Sequence, residues 1–150
     1  MEPVDFKNEV WEIIREIMNQ MENLFRPCYE LYGLTVGQTR ILFLLNSQKR
    51  TSITALSRLL SVTPGNLSVT CKRLESRGYL IRQRDKEDER VVWVSLSDIG
   101  RETVVQLRDK LDSRCSLILG EIPSKDLDTM IEGLRLLSDI LKQADGSFSH

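Results

Sequence analysis

The stretch RLESRGYLIRQRDKEDERVVWVSLSDIG, residues 73–100, decides the fold. Its opening residues close a helix: Leu74 is the last of an apolar series at helical spacing, and Gly78 follows where helices end in a left-handed residue. From Tyr79 to Arg84 the chain reads as a strand, and from Val91 to Leu96 it does so again. Between them Asp85-Lys86-Glu87-Asp88-Glu89-Arg90 carries no apolar side chain and reads as a solvated loop. Strand, charged tip and strand make a β-hairpin. Ser97 then stands as the N-cap of a further helix, where its hydroxyl can accept a backbone N–H.

Upstream, Thr63-Pro64 is a strong helix start, because threonine caps and proline at the first helical position has no N–H to lose. That helix is expected to run to Arg77 and to bury Leu67, Cys71 and Leu74, at i, i+4 and i+7. Before it, across the short link Ser61-Val62, Ser52 caps a shorter helix with an apolar face of Leu56, Leu59 and Leu60. Helix, tight link and helix with one narrow apolar stripe read as a helix-turn-helix, and the hairpin directly after it is a wing. Thr35-Val36-Gly37-Gln38 is a capping box for another helix, with Ile41, Leu42, Leu44 and Leu45 on its apolar face and a polar end from Asn46 to Arg50.

Long helical arms flank this middle. Phe6, Val10, Ile13, Ile17, Met21, Leu24, Cys28 and Leu31 recur at spacings of three and four, which predicts an amphipathic helix over roughly 5–32. Pro27 should kink or split it, and Gly33 should close it. After Ser97, one stripe holds Val104, Leu107, Leu111 and Ile118, with Cys115 taken as core. Pro123-Ser124 starts a last helix bearing Leu127, Met130, Ile131, Leu134, Leu137 and Ile140. The expected fold is mainly α with a small β-hairpin wing, a single domain over 1–150. Its winged helix-turn-helix occupies 34–97, helical dimerisation arms 1–33 and 98–144, and a frayed tail 145–150. One small winged unit cannot cover both arms, so a homodimer is expected, its interface resembling a core cut in half.

Composition narrows the function. With 41% apolar and 29% charged residues the chain is of the globular class, and no apolar run reaches the ~20 residues that span a bilayer. The N-terminal MEPVDFKNEVWE lacks a basic-then-apolar secretory pattern, so a cytoplasmic location and no membrane partner are expected. Cys28, Cys71 and Cys115 are widely spaced and make no disulfide framework. The single histidine is His150, so neither a metal site nor a cofactor is expected. GxGxxG, GxxxxGK, GxSxG and HExxH are all absent, which argues against an enzyme. The net charge of −1 hides an asymmetry. Between Arg50 and Arg90 nine basic residues face five acidic ones, a balance of +4, which leaves −5 elsewhere. A basic middle between acidic ends is the footprint of a nucleic-acid face on a non-binding scaffold.

Residues 73–100 also resemble the MarR regulators. Leu74, Glu75, Gly78, Arg82, Asp88, Arg90, Leu96 and Gly100 stand where that family has a helix ending in Leu-Glu-x-x-Gly, a strand arginine, an Asp-x-Arg wing and Leu-Thr-x-x-Gly. Ser97 replaces the threonine, a conservative change for a cap. Leu34-Thr35, Gln38, Leu56 and Leu60 match as well, so the resemblance covers nearly the whole chain. It implies a homodimer built from the first, fifth and sixth helices. Such a dimer binds a pseudo-palindromic operator in double-stranded DNA and represses until a small molecule or oxidant releases it.

The outward residues can be read on those terms. With Leu67, Cys71 and Leu74 inward, the helix from Thr63 shows Gly65, Asn66, Ser68, Val69, Lys72 and Arg73. Asn66 is placed to take an adenine bidentately and Ser68 to bond either partner. Val69 suits a thymine methyl, or else packs on its own domain. Thr63, Gly65 and the helix start suit a phosphate, and Lys72 and Arg73 the backbone. Arg90 is the wing residue for a narrow minor groove, with Asp88 holding its guanidinium or only stabilising the turn; Arg84 and Lys86 are phosphate candidates. The resemblance implies an effector pocket where arms meet winged part, near Trp11, Phe25, Tyr29, Tyr32 and Phe43, for a small aromatic or lipophilic molecule. Cys28 is the redox candidate. A winged-helix module that binds proteins without specific DNA binding stays open as the alternative.

Overall fold

Pro3 sits in the first turn of α1 (Pro3–Glu30), where it has no hydrogen bond to break. The helix is not split by Pro27, which lies in its last turns. Pro27 is exposed, so the one carbonyl it leaves without an amide can turn to water. Gly33 reverses the chain at φ +60°, and the Leu34 N–H closes the turn on the Tyr29 carbonyl at 3.1 Å. The structure is a computed structural model that describes residues 2–147, with side chains to residue 143.

The capping box forms in full ahead of α2 (Val36–Ser47): the Gln38 N–H donates to Thr35 Oγ1 at 3.2 Å, and the Thr35 N–H donates to Gln38 Oε1 at 3.0 Å. A two-residue strand, β1 (Thr51–Ser52), follows, and Ser52 caps α3 (Ile53–Leu60) through the Ala55 N–H. Ile53, Leu56 and Ser57 are the buried side of α3; Leu59, expected on that side, is 50% exposed. Ser61 takes a left-handed φ of 54°, and this turns the chain sharply into α4 (Pro64–Ser76). Thr63 caps α4, Leu67, Cys71 and Leu74 are buried, and Gly78 leaves it at φ +81°.

The wing is β2 (Leu80–Arg84) and β3 (Val92–Leu96), antiparallel with Arg84 opposite Val92 and Leu80 opposite Leu96. It is not a lone hairpin: β1 pairs with β3, Thr51 opposite Val94, giving a three-stranded sheet of order β1-β3-β2. Ser97 caps α5 (Asp98–Leu119) by accepting the Gly100 N–H at 2.9 Å, and its own hydroxyl donates to the Gly78 carbonyl. One core joins these pieces, with Leu42, Leu56, Leu74, Cys71, Val94 and Val104 at its centre.

The chain divides into two compact units, ending and starting at Asp112 and Ser113 inside α5. The second holds the end of α5 and α6 (Ser124–Ser147), which starts after Pro123 as expected and continues into the stretch 145–150 expected to fray; 148–150 lie outside the described residues. Cys115 is half-buried rather than core, and Leu117 and Ile118 are exposed. On α6, Met130, Ile131, Leu134, Leu136, Ile140 and Leu141 are exposed as well. No described helix is long and apolar enough to cross a membrane.

Candidate nucleic-acid interface

Because Leu67, Cys71 and Leu74 point into the core, helical geometry turns three other rows of α4 outward. Gly65 and Val69 form the ridge. Among the described residues nothing lies near the position of a Gly65 Cβ, and Val69 is 50% exposed. Asn66, Thr70 and Arg73 form one flank and Ser68, Lys72 and Glu75 the other. Ser68 and Lys72 share a cleft of about 330 Å³ with Arg82, Gln83 and Arg84 of β2. At the helix start the Thr63 hydroxyl accepts the Asn66 N–H at 3.3 Å, so its oxygen serves as a cap while its proton remains available to an acceptor.

Glu75 and Arg82 tie α4 to the wing. Glu75 accepts the Arg82 N–H at 3.2 Å and the Arg82 Nη1–H at 3.3 Å, and Arg82 Nε is buried without a partner among the described residues. Beneath the helix, burial pushes the Cys71 thiol up to about 11, a rise that the nearby Arg82 charge reduces in part. Such a thiol stays protonated at neutral pH.

The wing tip is organised by two carboxylates. Asp85 accepts the Trp93 indole Nε1–H at 2.7 Å and the N–H groups of Glu87 and Asp88 at 2.9 and 3.2 Å. These bonds, the indole first, hold its carboxyl below the usual range. The Arg50 guanidinium lies over the Trp93 ring, 4.4 Å from its centroid. Asp88 in turn takes Arg90 in a fork, Nε at 3.0 Å and Nη2 at 3.3 Å, and accepts the Arg90 N–H at 3.0 Å. Its carboxyl too is depressed, by the Arg90 side chain first. The Arg90 side chain is nonetheless 91% exposed. Arg84 and Lys86 stand beside Asp85 and Arg50 around an open cleft of about 610 Å³.

Sequence reading missed the residues that act across long separations. Arg77 donates to the Gly33 and Tyr32 carbonyls at 2.8 and 2.7 Å, and the Tyr79 hydroxyl also donates to the Tyr32 carbonyl at 3.1 Å, so the end of α1 is pinned to the end of α4. It also missed Arg50, Asp85 and Trp93. Asp85 and Trp93 are eight residues apart, and only the hairpin register brings them together.

Of the aromatic candidates, two come together in one described cleft. Tyr29 and Phe43 share a cleft of about 370 Å³ with Val36, Thr39, Arg40 and Leu44. The Thr39 hydroxyl is buried without a hydrogen-bond partner among the described residues. Tyr32 packs against the core and its hydroxyl donates to Gln106 Oε1 at 3.4 Å, Phe25 is half-buried, and Trp11 is exposed on α1. Cys28 is 6% exposed, so it offers an oxidant almost no surface.

Comparison with known proteins fits this geometry. The family model for the transcriptional regulators SarA/Rot matches residues 23–107, more than half of the chain. The transcriptional regulator BilQ of Clostridioides difficile is 23% identical over 141 residues, covering 91% of this chain and 95% of that protein. Among solved structures, a cysteine mutant of MarR from E. coli complexed with operator DNA superposes with a TM-score of 0.76 at 18% identity, over 91% of this chain and 99% of that one. NadR in complex with 4-hydroxyphenylacetate gives 0.75 at 18% identity, over 90% and 98%. The chain therefore belongs to the SarA/Rot family of transcriptional regulators and has the MarR winged-helix fold.

Proposed function

We propose that the protein is a cytoplasmic repressor that binds a pseudo-palindromic operator as a homodimer, with α4 in the major groove and the wing in the minor groove. The observation that carries this is Arg90, fully offered to solvent yet already oriented by the Asp88 fork. An arginine fixed in this way loses less side-chain freedom on entering the enhanced negative potential of a narrow groove. On α4, Asn66 reads adenine, Ser68 bonds a base or sugar, and the exposed Val69 meets a thymine methyl. Thr63, Gly65, Lys72, Arg73, Arg84 and Lys86 hold the sugar-phosphate backbone. The uncovered apolar faces of α1 and α6 belong to the dimer interface.

Release comes from a small aromatic ligand in the cleft that Tyr29 and Phe43 line. NadR, bound to the small aromatic acid 4-hydroxyphenylacetate, supports that choice of ligand. The deciding measurement is fluorescence-anisotropy binding of wild type and Arg90→Ala to DNA upstream of the protein's own gene, with random DNA as control, at two salt concentrations. The expected result is salt-dependent wild-type binding that beats random DNA and falls in the mutant by about 1–3 kcal/mol. Equal binding to both DNAs at either salt means that the operator lies elsewhere or that the protein is a winged-helix interaction module, and selection from a random DNA pool then decides between the two.

A further inference from the structure

Arg40 of α2 meets the flank of α4 that faces away from the wing. There Asn66, Thr70 and Arg73 line a cleft of about 340 Å³ with Thr35, Gln38 and Arg40. The rows 66/70/73 and 68/72/75 each follow i, i+4 and i+7, so they lie on opposite sides of the ridge made by Gly65 and Val69. Each row has a cation from a neighbouring element beside it: Arg84 near Lys72 on the wing side, and Arg40 near Arg73 on the other.

The second cleft is electrostatically one-sided. No acidic residue lines it, and neither Arg40 nor Arg73 forms an ion pair among the described residues. Thr35 and Gln38 are committed to each other in the capping box, and the Thr70 hydroxyl donates to the Asn66 carbonyl at 3.1 Å. Arg40 and Arg73 both line this cleft, and an anion seated there can accept N–H groups from two cations. A helix lying in a major groove about 12 Å wide has a phosphate backbone along each side.

We propose that Arg40 and Arg73 seat a backbone phosphate on the flank of α4 away from the wing, so that α2 supplies a DNA contact. This rests on the reading that α4 enters the major groove. The recognition helix is then gripped from both sides, by Lys72 and Arg84 on one strand and by Arg40 and Arg73 on the other.

The test is a salt series of anisotropy titrations on a duplex selected by the wild type and on a random duplex, with wild type, Arg40→Ala, Arg40→Gln, Arg40→Lys and Lys72→Ala. Loss of the Arg40 charge is expected to weaken both duplexes by a common factor. It should flatten the log–log salt slope by about 0.9 per lost phosphate, or nearly 2 for a two-fold dimer, while Arg40→Lys keeps the slope. Arg40 is exposed, so the melting temperature of both neutral variants should match the wild type. If Lys72→Ala flattens the slope and the neutral Arg40 variants leave it unchanged, the Arg40 seat is wrong and the DNA reading stands. A loss confined to the selected duplex makes Arg40 a base reader and overturns the phosphate assignment. Salt-independent wild-type binding overturns both readings together.

Discussion

Asp85 and Asp88 show how single carboxylates set the shape of the wing. Each is held below its ordinary value of 3.8, Asp85 first by the Trp93 indole and Asp88 first by the Arg90 guanidinium. A carboxyl whose folded pKa is depressed contributes order that is complete above the unfolded value and is lost as pH falls through the folded one. In a Trp11→Phe background, where Trp93 is the remaining tryptophan, its fluorescence should therefore stay level through pH 3.8 and change only in stronger acid. A transition centred at the ordinary value shows that the indole bond does not persist in solution. Cys71 runs the other way. Its thiol is raised from 9.0 to about 11, so the stability it favours is complete below pH 9 and is lost as pH rises through 11. At pH 8 the native protein should leave Cys71 unalkylated by iodoacetamide, with modification appearing only on denaturation; rapid native labelling contradicts the burial.

At the scale of elements, the joint between wing and α5 depends on one small residue. The Ser97 N–H donates to the Tyr79 carbonyl at 3.1 Å, and a Cβ added to Gly100 would drive into that same carbonyl oxygen. Gly100→Ala should cost about 1–3 kcal/mol, the range of an overpacked site. That corresponds to a fall of roughly 2–12 °C in melting temperature for a chain of this length; an unchanged melt shows that the backbone yields there at little cost. The caps at Thr35, Ser52, Thr63 and Ser97 could be read in the sequence because each bond spans three residues and needs no knowledge of the fold. β1 was not legible, since two residues carry no alternation and its pairing with β3 lies some forty residues ahead. Leu59 was misassigned because α3 is a short helix with more leucines than its buried side can hold. The outward row of α4 follows from its buried stripe alone. Its two flanks do not, because Arg40 and Arg84 reach them only once α2 and β2 are in place.

For the whole molecule, the decisive fact is apolar surface that one chain leaves uncovered. Phe6, Ile13, Ile17 and Met21 on α1, and Met130, Ile131, Leu134 and Ile140 on α6, are all exposed. Scattered exposed apolar residues are ordinary, but rows at helical spacing on long helices are unusual for a monomer. If a second copy covers them, light scattering should give twice the chain mass at micromolar concentration, and Leu134→Asp should shift it toward the monomer. Dimerisation then fixes the DNA that fits. Two recognition helices related by a two-fold axis lie about 34 Å apart, one turn of duplex, or at a multiple of that distance. With three or four phosphates neutralised by each subunit, the slope of log affinity against log salt should be roughly −5 to −7. Inserting about half a turn between the half-sites rotates one to the far side of the duplex, so affinity should collapse toward that of a single half-site. A full-turn insertion keeps both half-sites on one face but exceeds the reach set by the dimer, so it should not restore binding. Binding that tolerates the half-turn insertion means that the two winged units engage DNA independently, and a rigid two-fold dimer is then excluded.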